Sequence, residues 1–264
     1  MKPYILEQTN WKQVKNQKYD VAILPWGATE PHNYHLPYGT DSLETARIAE
    51  EAAAKAWALG AKVMVLPVIP LGAQNVGQID LPFCLHTRPS TQLIILEDIL
   101  FALNRQGIKK LVLMNGHGGN DFKPLVRELQ PKFPELFISL VEWFQIVDPD
   151  DYFEEAGDHA NEMETSIIMH YFSNLVLPLH EAGNGDVKAF KLDGLKNKIA
   201  WAPRRWDKVS EDTGVGNPKK ATAEKGKKFV DDVSTKIADY FVELAKCDIY
   251  DLYDIKDIKP DNYH

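Results

Sequence analysis

The fold is decided by the stretch VAILPWGATEPHNYHLPYGTD, residues 21–41, where a continuous apolar run ends in a polar loop. The run VAILP (21–25) predicts a buried strand, because near-continuous apolar residues are typical of parallel strands that are covered on both faces. The loop after it carries two imidazoles and two carboxylates, namely Glu30, His32, His35 and Asp41. Such side chains directly after a core strand indicate a functional site.

Similar apolar runs alternate with amphipathic segments along the rest of the chain. Further strands are predicted at 62–70, 109–115 and 136–144, and helices at 42–57, 91–106, 121–130, 159–172 and 219–246. This alternation implies βαβ units, hence an α/β fold with a parallel sheet covered by helices. No repeat or low-complexity linker interrupts it, so a single domain over 1–264 is expected. The irregular segments 74–90 and 183–217 are expected to cover a site or to form subunit contacts.

Composition excludes several classes of protein. The 264 residues carry a formal net charge of -8 without a stripe of Lys or Arg, which argues against nucleic acid or an anionic membrane as partner. Two widely separated cysteines argue against a disulfide scaffold and a thiolate zinc site, and they suit a reducing cytoplasm. No signal core is recognisable at the N-terminus, and no apolar run is long enough to span a bilayer. We therefore expect a cytoplasmic protein with a diffusible substrate.

Polar segments follow three of the predicted strands. After the first strand comes the loop that holds Glu30 and Asp41, after the third comes NGHGGN (115–120), and downstream of the fourth comes GDHANEMETS (157–166). Open α/β sheets bind ligands outside the carboxyl ends of their strands. The three segments are therefore expected to meet in one site.

The first loop offers metal ligands. Glu30 and His32 are two residues apart, so in an extended segment their side chains point to the same side. Oxygen and nitrogen donors without thiolate suit zinc, manganese or iron. Asp41 is ambiguous: with Glu44 three residues on, it fits a capping box, but a carboxylate can also bridge two metals. Spacing alone leaves both interpretations open.

His117 lies between glycines at the end of a buried strand, where small neighbours allow a close approach of the backbone to a ligand. A phosphate loop is the alternative, but the spacing matches neither GxGxxG nor GxxxxGK[ST]. A metal ligand is therefore favoured at His117.

The third segment adds a carboxylate and a histidine. In a helix over 159–172, Glu164 falls on the apolar stripe of Ile167 and Ile168, where a carboxylate is costly unless a metal or another cation pairs with it. His159 would begin this helix after Asp158, its expected N-cap. A helix N-terminus disfavours imidazolium, so His159 is expected to be neutral at rest and able to accept a proton.

Together, the blocks LPWGATEPHNYHLPYGTD, MNGHGGN and HANEMETS resemble the signature blocks of the creatininase (creatinine amidohydrolase) family, in the same order and at similar separations. The resemblance implies a three-layer αβα domain, a centre of two divalent metal ions, often a homohexamer, and hydrolysis of a non-peptide C–N bond. It also implies roles for individual residues: Glu30 and His32 each bind one metal, Asp41 bridges them, His117 is a further ligand, and His159 is the catalytic histidine. Asp158 is its acidic neighbour and is expected to tune or orient it in catalysis.

The chain departs from creatininase itself at three positions. Gly119 stands where creatininases have an acidic ligand, Pro31 where glutamine is usual, and Asn33 where glycine is common. Glu164 is the candidate for the missing ligand because it lies on the inward stripe. These departures argue against creatinine as substrate. They favour other branches of the family, which include deformylases of formylaminopyrimidines and enzymes of peptide-cofactor maturation.

The sequence thus predicts a metal-dependent hydrolase of a small amide, cyclic amide or formamide. Tyr34 and Trp143 are candidates for the walls of a flat, ring-sized pocket, with ordinary core or rim packing as the alternative. One alternative is a metal-independent binding protein for a nucleotide or sugar phosphate, and another is a binuclear metallophosphatase. The density of carboxylates argues against the first, because they would repel phosphate. The scarcity of Lys and Arg near the three blocks, with Arg47 nearest to the first, argues against the second.

Overall fold

A computed structural model describes residues 2–254 of the chain. Within these residues four strands are present: β1 (Val21–Trp26), β2 (Val63–Val65), β3 (Lys110–Asn115) and β4 (Phe137–Glu142). The α-helices of the same residues are α1 (Trp11–Val14), α2 (Thr40–Ala58), α3 (Pro89–Arg105), α4 (Phe122–Leu129), α5 (Glu162–Phe172), α6 (Asp193–Lys196), α7 (Trp206–Val209) and α8 (Ala223–Lys246).

The four strands form one sheet in the order β2-β1-β3-β4, and every neighbouring pair is parallel. The last residues of three strands are in register, with Trp26 opposite Asn115 and Asn115 opposite Glu142. The loops that leave these strands therefore start from the same edge of the sheet. This edge is where an open α/β sheet binds its ligands.

Helices cover both faces of the sheet. On one face, Val21 and Ile23 of β1 belong to a core with residues of α2, α5 and α8, such as Phe229. On the other face, Ala22 and Leu24 pack with residues of α3 and α4. Successive strand residues serve opposite cores because their side chains alternate between the faces. The predicted three-layer αβα class with a parallel sheet is confirmed.

Two predicted boundaries are corrected. β2 is shorter than the run 62–70, because Pro67 and Pro70 lack the N–H group that a continued ladder needs. Helix α5 begins at Glu162 rather than at 159, and the side chain of Asn161 caps it by accepting a hydrogen bond from the backbone N–H of Glu164. Asp158 is therefore not the N-cap of this helix. Among residues 2–254, no helix is long and apolar enough to cross a bilayer.

Candidate metal centre

Six buried polar side chains meet at the carboxyl edge of the sheet: Glu30, His32, Asp41, His117, His159 and Glu164. Glu30 and His32 lie in the loop after β1, and Asp41 lies in the first turn of α2. His117 follows β3, while His159 and Glu164 come from the start of the α5 region. The structure thus brings together side chains from all three blocks. None of the six is more than 9% exposed.

Asp41 joins two histidines. Its Oδ1 atom is 2.9 Å from Nε2 of His32, and its Oδ2 atom is 3.0 Å from Nδ1 of His117. Helix α2 begins at Thr40 and has Gly39 as its N-cap residue. The capping-box alternative for Asp41 is therefore wrong, since its carboxylate serves the cluster.

Glu30 faces the same centre from the loop after β1. Its Oε1 atom is 3.2 Å from Nδ1 of His117 and 3.6 Å from Nδ1 of His159. Its other oxygen accepts a hydrogen bond from the side-chain amide of Gln78. Gln78 belongs to the irregular segment 74–90, and no spacing rule could have placed it here.

Backbone carbonyls fix the orientation of all three imidazoles. Nδ1 of His32 lies 3.0 Å from the carbonyl oxygen of Glu30. Nε2 of His117 lies 2.9 Å from the carbonyl oxygen of Ala73. Nε2 of His159 lies 2.9 Å from the carbonyl oxygen of Pro31. A carbonyl oxygen only accepts, so these ring nitrogens carry the hydrogen. The opposite nitrogen of each ring then faces the carboxylates, as is usual for metal-binding histidines.

The ligand atoms form three groups, each with all atoms within 4.8 Å of one another. The groups are Glu30–Asp41–His117, His32–Asp41–Glu164 and Glu30–His32–His159. The first two share Asp41. Carboxylate oxygens and imidazole nitrogens are donors that suit zinc, manganese or iron. The donor set and its spacing therefore fit divalent cations.

The electrostatics of the cluster favour positive charge within it. Burial alone lowers the pKa of His32, but the Asp41 carboxylate outweighs this effect and raises the pKa to about 10. Glu30 and Asp41 likewise hold the pKa of His117 well above its usual range, in spite of burial. In contrast, burial and the neighbouring His32 lower the pKa of His159. Without a metal, protons on His32 and His117 balance the carboxylates.

Burial changes the pKa of two acids, Glu164 within the cluster and Glu44 outside its ligand groups. Burial raises the pKa of Glu164 to about 7, although the backbone N–H of Ala160 donates a hydrogen bond to its carboxylate. Glu44 of α2 is fully buried, and burial together with Glu164 and Asp41 raises its pKa well above the usual value. Sequence spacing suggested only a capping partner at Glu44.

Three predicted site residues are not part of the buried cluster. Trp143 is a buried core residue beneath the site and is therefore not a pocket wall. Its indole N–H donates to Oγ1 of Thr45 at 3.0 Å, and its ring packs on Phe229.

The exposed carboxylate of Asp158 binds Arg204 at 3.1 Å. The hydrogen bond that orients the ring of His159 goes instead to Pro31, which corrects the predicted role of Asp158. Tyr34 is 60% exposed at the surface.

The two irregular segments meet beside His159. The ring of Trp206 packs edge-on against the imidazole of His159 with centroids 5.1 Å apart. Its backbone N–H donates to the carbonyl oxygen of Val76 at 2.8 Å. Asn33 anchors the later segment to the first loop, because its side chain donates to the carbonyl of Gly183. Asn33 has a φ of 53°, a left-handed conformation that favours glycine or asparagine, which accounts for the Asn in place of Gly.

Gly119 is required by close packing. A Cβ atom at this position would overlap the carbonyl oxygen of Ala73 and Nε2 of His117. The space that an acidic side chain would need at position 119 is therefore filled by the loop that orients His117. A carboxylate ligand cannot come from this position, and other carboxylates must complete the cluster.

Gly119→Asp is therefore expected to destabilise the fold rather than to add a ligand. Forcing atoms into a packed site costs about 1–3 kcal/mol, and the displaced His117 should bind metal more weakly. Gly118→Asp is the matched control, since no atom lies within 4 Å of a Cβ at position 118. Denaturant unfolding and metal content of both variants test this. Improved metal binding by Gly119→Asp would contradict it.

Comparison with known proteins agrees with this geometry. The sequence profile of the Creatininase family, described as creatinine amidohydrolase, matches residues 7–241. The chain belongs to the creatininase family. The family resemblance of the three sequence blocks is therefore confirmed.

Individual members of the creatininase family show the same relationship. A Bacteroides fragilis protein of known crystal structure, provisionally assigned as a creatinine amidohydrolase, is 51% identical to this chain in sequence. The two structures superpose with a TM-score of 0.91 over 95% of this chain and 99% of that one. The 3-dehydro-scyllo-inosose hydrolase of Thermotoga maritima is 26% identical over 89% of this chain and 80% of its own length. A mutant creatininase of Zn-Zn type shares the fold, with a TM-score of 0.74 over 92% of this chain and 99% of that one. The two sequences are 21% identical.

Proposed function

We propose that this chain, acting as one domain, is a metal-dependent hydrolase of a non-peptide C–N bond in a small molecule. An amide, a cyclic amide or a formamide is the proposed substrate class. The observation that carries the proposal is the pair of ligand groups that share Asp41. Glu30, Asp41 and His117 would hold one divalent ion, and His32, Asp41 and Glu164 would hold a second. Family membership supports this assignment.

Two divalent ions at these residues would supply an activated water and would polarise a carbonyl oxygen. The carboxylates of Glu30, Asp41 and Glu164 would hold them, while carbonyl hydrogen bonds fix the histidine rings. His159 is proposed to take a proton from the attacking water and to transfer it to the leaving nitrogen. Its lowered pKa keeps the ring neutral and ready to accept a proton, and its Nδ1 atom faces the cluster. Buried surroundings strengthen each of these interactions.

The charge of the site argues against phosphate ligands. Within residues 2–254, the ion pairs of Glu30 and Asp41 are with histidines and not with Lys or Arg. A phosphate-binding protein without metal would place an anion beside these buried carboxylates, and their negative charges would repel it. A metallophosphatase would need cationic side chains for the transferred group. The amidohydrolase proposal is therefore favoured over both.

We also propose a cytoplasmic location and a homo-oligomer, with a hexamer as the assembly that the family resemblance implies. Cys84 and Cys247 are both free, which suits a reducing compartment. In the two irregular segments, the large apolar side chains of Phe83, Ile199 and Trp201 are each more than four-fifths exposed. Exposed apolar side chains of this kind are common at contacts between subunits.

Elemental analysis of wild-type protein beside His117→Ala tests the proposal. About two equivalents of a divalent transition metal are expected in the wild type, and about one in the variant, because His117 serves only one of the two ligand groups. His180→Ala, an exposed histidine outside the cluster, is the matched control. Near-zero metal that zinc or manganese does not restore would reject the hydrolase.

The metal-loaded protein would then be screened for hydrolysis. The panel contains formamides, cyclic amides and small amidines. A cyclic polyhydroxy ketone is added because the Thermotoga maritima relative is named for 3-dehydro-scyllo-inosose. Turnover of the ketone alone, with every amide inert, would contradict the proposed bond class while leaving the metal site intact.

A further inference from the structure

Glu44 is a buried acid to which the mechanism above gives no role. It is fully buried in α2, and neither carboxylate oxygen has a hydrogen-bond partner within the part of the chain that the structure describes. A buried carboxylate without a donor costs several kcal/mol unless a cation or a proton compensates it. A protein that retains such a group in its interior must compensate it in its functional state.

The position of Glu44 on α2 directs it towards the cluster. Asp41 and Glu44 are three residues apart on the helix, so their side chains lie on the same face. Burial, together with the negative charges of Glu164 in α5 and of Asp41, raises the pKa of Glu44. Three acids from two packed helices therefore surround one region, and no Lys or Arg of residues 2–254 forms an ion pair with any of them.

Glu162 shows how the charge of another buried carboxylate is compensated in this fold. Glu162 is also fully buried, yet Lys225 binds one of its oxygens at 2.5 Å and the backbone N–H groups of Glu154 and Glu155 donate to the other at 2.9 Å. Glu44 has no such partners among the residues described. A divalent cation held at His32, Asp41 and Glu164 would supply the missing positive charge.

We propose that Glu44 supports the metal centre from α2, with its negative charge beside the subsite of His32, Asp41 and Glu164. This inference rests on the proposed function, because it requires a bound divalent ion. Glu44 is in none of the three ligand groups, so it acts through its charge beside the ion and is a positioning residue rather than a ligand.

Metal binding by Glu44→Gln tests the inference. Zinc or manganese is titrated into metal-free wild type, Glu44→Gln and Glu44→Leu, and the two affinities are measured. Losing a group that supports metal ligands weakens binding about 10–100-fold, and this loss is expected for one of the two ions only. Glu50→Gln on the same helix is the control, since Glu50 binds Lys2 and Arg47 outside the cluster.

Thermal unfolding gives the second readout. Glu44→Leu fills similar space without burying polar atoms, so the metal-free variant is expected to be at least as stable as metal-free wild type. The increase in Tm on adding metal should be smaller than in wild type. Glu162→Gln is expected to do the opposite, losing stability with or without metal because it breaks the contact with Lys225.

The outcomes separate the two proposals. Wild type that binds two ions, with Glu44→Gln and Glu44→Leu binding both within twofold of wild type, would overturn the role of Glu44 and leave the hydrolase proposal standing. Wild type that binds no ion would overturn both proposals. An equal loss of affinity in Glu50→Gln would also overturn the role of Glu44, because any charge on α2 would then have the same effect.

Discussion

Asp41→Asn is expected to remove both metal ions and to reduce hydrolysis by about 10³-fold or more. Asp41 belongs to both proposed ligand groups, whereas His117 belongs to one of them. An asparagine keeps the size of the side chain but lacks the charge that holds two cations. Lewis-acid stabilisation by metals is worth several kcal/mol, and each 1.4 kcal/mol corresponds to about tenfold in rate. Elemental analysis and turnover of the purified variant measure both effects.

The test distinguishes a bridging carboxylate from an ordinary ligand. Asp98→Asn in α3 makes the same chemical change on the other side of the sheet and should retain two ions. If Asp41→Asn still carried one full equivalent of metal, Asp41 would serve a single subsite and the shared arrangement would be wrong. Loss of metal with a native circular dichroism spectrum excludes simple unfolding as the cause.

The fold could be predicted from the sequence because its signals are local. Continuous apolar runs mark β1 and β3, and the helices that alternate with them show apolar faces. The parallel register then follows from the need for crossover connections. The boundary at α5 was missed because Asp158 and Asn161 are both good capping residues. Only the fold shows that the segment at His159 pairs with Val215 before the helix begins.

The ligands of the candidate site were predictable for the same reason, while their supporting contacts were not. Glu30, His32 and His117 follow strand ends directly, so topology places them together. Gln78 and Trp206 reach the site from irregular segments whose path no periodicity describes. Trp143 follows β4 but turns into the core, because the chain leaves the strand in a 3-10 turn. Glu44 did carry a periodic signal with Asp41, which the capping-box spacing explained equally well.

His159→Gln is expected to keep both metal ions and to lose about 10²–10⁴-fold in turnover, the usual contribution of a general acid or base. Nε2 of His159 donates to the carbonyl of Pro31, so a single ring nitrogen, Nδ1, is left to face the cluster. Glutamine fills the space beside Trp206 but cannot accept and release a proton near neutral pH. Turnover and metal content are measured together, with His180→Gln as the matched control.

The combination of the two readouts decides between two roles for this histidine. A ring nitrogen of His159 also lies within 4.8 Å of ligand atoms of Glu30 and His32, a spacing that suits a metal ligand. If His159→Gln lost an equivalent of metal together with activity, the ring would be a ligand and another group would protonate the leaving nitrogen. Retained metal with lost turnover assigns the proton transfer to His159, since the rest of the centre would then be intact. Retained metal with unchanged turnover would exclude both roles.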